Sequence, residues 1–299
     1  MTDEGLTHLH VAGQGVSSWF GWIPVRSRAR AGVMGAMLIL ALVVIAGRLV
    51  FCTAVATDFS AKMLAPSYTH PFGTDQMGRD MLARTLAGLS TSLCVGALVA
   101  VFTVVIACVM AFVSVAGGRW GDAVVRLLTD TVMGVPHIVA LILISYALGR
   151  GLWGVVIGLS LTHWPSLARI LTTELLQIRR ERYMDASAAL GVAGVTMFAR
   201  HLFPAIFPQL LVGALLSFSH AILHEASMTF LGFGLSPEVP ALGTILAESM
   251  GYLSAGAWWL AVLPGVSLVA CVLLLDGAGS ACRQAIDARV DRGAKGAAA

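Results

Sequence analysis

Six apolar runs, at about 31–51, 89–116, 123–148, 152–172, 207–231 and 257–279, leave this chain very little choice of fold. Each is about 20 residues or longer, enough for a helix to cross the roughly 30 Å hydrocarbon layer of a bilayer. In lipid a backbone must satisfy its own hydrogen bonds, so segments of this kind cross as helices. Composition agrees. Only 12% of residues are charged and 58% are hydrophobic, whereas the surface of a soluble domain calls for about a quarter charged residues. The expected fold is an all-α polytopic membrane protein with six transmembrane helices.

Charge placement orients the expected spans. With both termini in the cytoplasm, fourteen of the 19 Lys and Arg residues fall on that side, among them Arg26, Arg28, Arg30, Arg179, Arg180, Arg182 and Arg200. Five (Arg48, Lys62, Arg79, Arg84 and Arg150) fall outside. That excess is the one the positive-inside rule asks for. The resulting organisation is a cytoplasmic tail at 1–30, a first span at 31–51 and an extracytoplasmic segment at 52–88. A transmembrane core at 89–282 and a cytoplasmic tail at 283–299 complete it. Ala54-Val55-Ala56 after the first run resembles a processing site, but the run is longer than the 7–15 residues of a signal core, so it reads as a retained anchor. The net charge of +3 is spread over several loops and suggests no nucleic-acid partner.

Between the fourth and fifth spans lies a basic stretch, 182–208, RYMDASAALGVAGVTMFARHLFPAIFP. It reads as two short helices broken at Gly191 and Gly194, glycine supplying the positive φ of a turn. Asp185 suits the positive end of the first helix dipole, Ala186, Ser187, Ala188 and Ala189 give a nearly bald surface, and Pro204 and Pro208 mark the next span. Two further strings stand out: His70–Asp80, HPFGTDQMGRD, with Thr74 or Asp75 expected to cap a short helix and Arg79 and Asp80 to form local pairs, and Glu225–Pro240, EASMTFLGFGLSPEVP. In the latter Gly232 and Gly234 end a helix and Pro237 and Pro240 keep the outer loop irregular.

These three stretches, in this order, resemble segments of ABC-importer permeases of the dipeptide, oligopeptide and nickel family. GTDQMGRD is similar to the GTDxxGRD signature of the second permease subunit, and 182–208 to the cytoplasmic "EAA" loop. Asp185 replaces that loop's Glu, Ser187 an Ala, His201 an Ile and Phe203 a Leu. The resemblance runs from about His70 to Arg289. It implies a coupling-helix loop in which Asp185, Ala186, Ser187, Gly191 and Pro204 meet an ATPase. It also implies a homologous second permease, two ATP-binding subunits, an extracytoplasmic binding protein and a place in the inner membrane. SHAILHEASMTFLGFGLSP and THWPSLAR look more like the nickel/cobalt or metallophore branch than the peptide branch. The resemblance thus implies import of nickel, cobalt or a metal chelate, with di- or oligopeptides as the alternative cargo.

No catalytic constellation or cofactor site is legible. A phosphate-cradling GxxxxGK[ST] loop needs a lysine after glycine, and Lys62 and Lys295 each follow alanine. His224-Glu225 opens an HExxH string that Met228 breaks, which removes the zinc-protease reading. The five cysteines lack CxxC spacing and read as small hydrophobes. What remains is a set of intramembrane polar groups: His163 on the fourth span, His220, His224 and Glu225 on the fifth, and His137 on the third. Such groups face cavities or pair with one another. His163, His220, His224 and Glu225 are the candidate translocation path. The histidines serve either as a sparse metal relay, since imidazole suits such ions, or as interhelical hydrogen-bonding groups. No metal ligand set is assigned from sequence. A protein of another class, an ion-coupled secondary transporter using Asp130 and Glu225, lacks the expected inverted repeats.

Overall fold

The structure is a computed structural model that describes residues 27–180, 196 and 202–297. Among the described residues it is all-helical, with no β-strand beyond an isolated bridge between Thr74 and Asp80. The helices are α1 (Ser27–Leu49), α2 (Phe51–Val55), α3 (Met81–Ala116), α4 (Gly118–Met133) and α5 (His137–Ala147). They continue as α6 (Leu152–Arg179), α7 (Phe203–Phe230), α8 (Leu242–Leu253) and α9 (Trp259–Ala297).

Among the described residues, four helical segments are long and apolar enough to cross a bilayer: Ala31–Leu49, Met81–Ala116, Phe203–Phe230 and Trp259–Gln284. The expected third span departs from a straight crossing. α4 and α5 meet at a 95° bend and make at most one further span together. The cause is local. Pro136 lacks an N–H and disfavours the helical region for the residue before it. In α4 the polar residues Arg119, Asp122, Arg126 and Asp130 recur at helical spacing along one side. α6, the expected fourth span, is 28 residues long but carries His163, Arg169 and Glu174, so its apolarity falls short of the other spans. By length and composition the described residues therefore supply four spans, or five if the bent pair counts as one, against the six expected.

α3 is the axis of the packing. One core cluster joins its Leu89 and Leu93 to Leu40 of α1, Ile222 of α7, Leu242 and Ile245 of α8, and Leu275 of α9. A second joins Ala107 and Ala111 to Val125, Trp164, Leu171 and Ile206. A third joins Val95 and Val99 to Leu141, Leu159, Ala221 and Met228. Because lipid tails are as apolar as leucine, helices in a bilayer associate through close packing, and small residues permit it. A Cβ at Gly47 of α1 would stand 2.2 Å from the Leu86 carbonyl oxygen of α3, and one at Gly243 of α8 would stand 2.4 Å from that of Ala226 in α7. Outside these seams Met34, Ile45, Val101, Val105, Val266 and Leu273 are exposed, an apolar rim of the kind lipid or a second subunit covers.

The loop that follows α7, expected to be irregular around Pro237 and Pro240, leads directly into α8. Thr244 closes its first turn, its hydroxyl lying 2.7 Å from the Ala241 carbonyl and accepting from the Ala241 N–H at 3.1 Å. The Ser249 hydroxyl sits 2.7 Å from the Leu260 carbonyl and ties α8 to α9.

Candidate functional site

Two polar constellations are embedded in this apolar frame. The first is built by the string 70–80 at the head of α3. Gly73 and Gly78 adopt φ of 71° and 75°, the left-handed region open to glycine. A Cβ at Gly78 would lie 1.7 Å from the Asp58 carbonyl oxygen. The turn folds around Asp75, whose Oδ1 accepts the N–H groups of Met77 and Arg79 at 2.8 and 2.9 Å. Its Oδ2 receives Arg79 Nε and Arg84 Nη1, both at 2.6 Å. Both arginines also reach Glu248 Oε2 of α8, at 3.2 and 3.0 Å. Asp75 and Arg84 are buried, and a buried charge is tolerated only when paired and hydrogen-bonded.

This arrangement corrects the expected roles. No helix follows Thr74 or Asp75 directly. The cap belongs to Asp80, which accepts from the Ala83 N–H at 2.9 Å at the start of α3, and Asp80 also meets His70 Nδ1 at 2.8 Å. Arg79 pairs with Asp75 and with distant Glu248. Thr74 instead pins the preceding loop, donating to the Ala61 carbonyl and accepting from Leu64 N–H at 2.8 Å. Nearby, Asp58 accepts from the Ser60 hydroxyl and N–H at 2.6 and 3.0 Å, and these bonds hold its carboxyl below the usual carboxylate range.

The second constellation lies where α5, α6 and α7 meet. His137 opens α5 immediately after the bend, His163 lies within α6 and His224 within α7. Their ring centroids are 4.5 Å apart for His137–His224, 4.8 Å for His137–His163 and 5.2 Å for His163–His224. One ring nitrogen from each lies within 4.8 Å of the others. His163 Nδ1 is 2.7 Å from the Leu159 carbonyl oxygen, one turn back on α6. A carbonyl only accepts, so Nδ1 carries the proton and Nε2 keeps its lone pair.

Of the candidate path residues, the structure brings His163 and His224 together and adds His137. Its position on the third apolar run was legible, but its approach to the other two depends on the bend at Pro136. His220 is exposed and stands outside the group. Glu225, although next to His224 in sequence, is fully buried and turned elsewhere. Its Oε1 accepts from the Thr229 hydroxyl at 2.8 Å, and that hydroxyl accepts from the Leu235 N–H at 3.1 Å, fastening the end of α7 to the following loop. Asp130, offered as a protonatable group, is exposed and pairs with Arg169 at 2.5 Å.

Asp185, Ala186, Ser187 and Gly191 lie outside the described residues. Pro204 occupies the first turn of α7, where the missing N–H costs no helical hydrogen bond. All five cysteines are free thiols.

Membrane-length apolar helices packed on a central α3, with polar groups gathered between them, define an integral membrane protein. Residues 103–291 match the family described as "Binding-protein-dependent transport system inner membrane component", and the chain belongs to that family. It is 35% identical over 237 residues to a putative peptide permease protein of Brucella suis, covering 78% of each chain. It is 34% identical to a putative peptide transport system permease protein of the same organism, over 79% of each. It is also 27% identical to the dipeptide transport system permease protein DppC of Alkalihalophilus pseudofirmus, over 92% of this chain and 91% of that one.

Proposed function

We propose that this chain is a membrane-spanning permease subunit of an ABC importer whose cargo is a di- or oligopeptide. The observation that carries the cargo is the match, over more than three quarters of both chains, to proteins named as peptide permeases. Those relatives favour the peptide alternative over the nickel or cobalt reading suggested by the strings around His163 and His224. In this reading the chain pairs with a homologous permease and takes peptide from an extracytoplasmic binding protein. Two separate ATPase subunits supply the energy, which fits a chain without a GxxxxGK[ST] loop. It sits in the inner membrane with both termini in the cytoplasm, and the stretch 182–208, with Asp185 and Gly191, docks on an ATPase and transmits its motion. Membership of a binding-protein-dependent family leaves no support for the secondary-transporter alternative.

The test is uptake of a radiolabelled dipeptide and, in parallel, of radioactive nickel by cells with and without the gene, in low-metal medium. Loss of dipeptide uptake with nickel uptake unchanged is the expected result. Loss of nickel uptake alone would overturn the peptide assignment.

A further inference from the structure

The three-histidine cluster is more than a packing detail, because its members arrive from three separate helices. α5, α6 and α7 each contribute one imidazole, and one nitrogen from each lies within 4.8 Å of the other two. Histidine is uncommon among apolar spans, and ionisable groups at membrane depth mark pathways and sites more often than filler. We propose that His137, His163 and His224 form a binding site for one divalent late first-row transition-metal ion.

Three features of the geometry support this. First, the ligand chemistry is uniform: three imidazoles suit zinc, nickel and their neighbours, and a three-histidine set leaves a fourth position open for water or another ligand atom. Second, His163 is already oriented as a ligand. Its Nδ1–H donates to the Leu159 carbonyl at 2.7 Å, the kind of backbone contact that fixes the tautomer of metal-binding histidines and leaves Nε2 with its lone pair. Third, among the described residues no hydrogen bond is formed by the ring of His137 or His224, and both rings lie against the other rings of the cluster. Two ring nitrogens in a half-buried apolar setting thus keep lone pairs without another use.

The separation also suits the assignment. Metal–nitrogen bonds of about 2.0–2.1 Å in a tetrahedral site place the nitrogens about 3.4 Å apart. The nitrogens now lie within 4.8 Å of one another, so they need approach by no more than about 1.4 Å to reach that spacing. Glu225 and His220 take no part: the former is engaged by Thr229 and the latter is exposed. An ion held here would tie the bent α4–α5 segment to α6 and α7. The placement between spans rests on the permease reading, whereas the ligand geometry does not.

The experiment uses the assembled importer, purified through a tag without histidines, stripped of metal and placed in lipid nanodiscs. Co²⁺ alone is titrated in, and the visible ligand-field bands and bound cobalt per complex are read. Wild type is expected to bind one Co²⁺ per copy of this chain with tetrahedral-type bands. His137→Gln, His163→Gln and His224→Gln should each weaken binding at least tenfold, and His220→Gln should leave it unchanged. His224→Cys keeps a ligand at the site and should add a sulfur-to-cobalt charge-transfer band, which serves if a glutamine variant does not assemble. Cobalt binding equal in wild type and in a variant with all three histidines changed to glutamine, or a cysteine variant without that band, would overturn the site. Dipeptide uptake by the same preparation in proteoliposomes separates the two readings. Transport without a cobalt site refutes only the metal inference, and a cobalt site without peptide transport refutes only the cargo.

Discussion

Asp75 is the residue around which the turn ahead of α3 is built. One carboxylate accepts two backbone N–H groups and two guanidinium groups, and its partners Arg79 and Arg84 share Glu248. Removing one member of a buried pair leaves the other charge uncompensated, at a cost of about 3–5 kcal/mol. Asp75→Ala is therefore expected to lower the melting temperature of the detergent-solubilised protein sharply. Glu248→Gln should do far less, about 1 kcal/mol or below, because that side chain is 31% exposed and screened by solvent. Gly78→Ala tests the same turn from the backbone side. It forces a Cβ onto the Asp58 carbonyl and places a non-glycine residue at φ 75°, for a loss of about 3 kcal/mol or more. Wild-type thermal stability in that variant would show that the turn has another conformation available.

Among the elements, seams with small residues determine which helices lie side by side. α1 rests on α3 at Gly47, where an added Cβ meets backbone at 2.2 Å, while at Gly35 on the same helix it meets nothing within 4 Å. Backbone atoms cannot rotate away. Gly47→Val is expected to cost about 1–3 kcal/mol by overpacking, and Gly35→Ala to be neutral or stabilising by up to about 1 kcal/mol. Protease resistance of the two variants in membranes measures the difference, and equal resistance would remove Gly47 from the packing account. The bend between α4 and α5 is the other decision at this scale. It converts an apolar run that reads as one span into two helices at 95° and places His137 beside α6 and α7.

For the whole molecule, the proposed importer depends on its membrane core being driven from the cytoplasm. Replacing Asp185 or Gly191 by Trp should reduce peptide uptake at least tenfold while membrane insertion stays unchanged, because a bulky side chain spoils a closely docked surface. Normal uptake in both variants would exclude 182–208 as the coupling element. Co-purification of the ATPase with each variant separates lost docking from lost transmission.

The helical, membrane-embedded class was legible because long apolar runs admit one economical solution in lipid, and three short strings carried the family. The presence of His137, His163 and His224 was equally legible. The sequence also favoured a metal cargo from local strings, where relatives over most of the chain favour peptide. Other features needed three dimensions. That Glu225 turns away from the histidines follows from which side of α7 packs inward. Glu248 reaches Arg79 and Arg84 only because α8 folds back against α3, across a sequence separation of 169 and 164 residues. Periodicity and composition act over one helix and so fix what each segment is. Which segments touch is set by close packing and polar satisfaction between helices, and those exist only once the chain has folded.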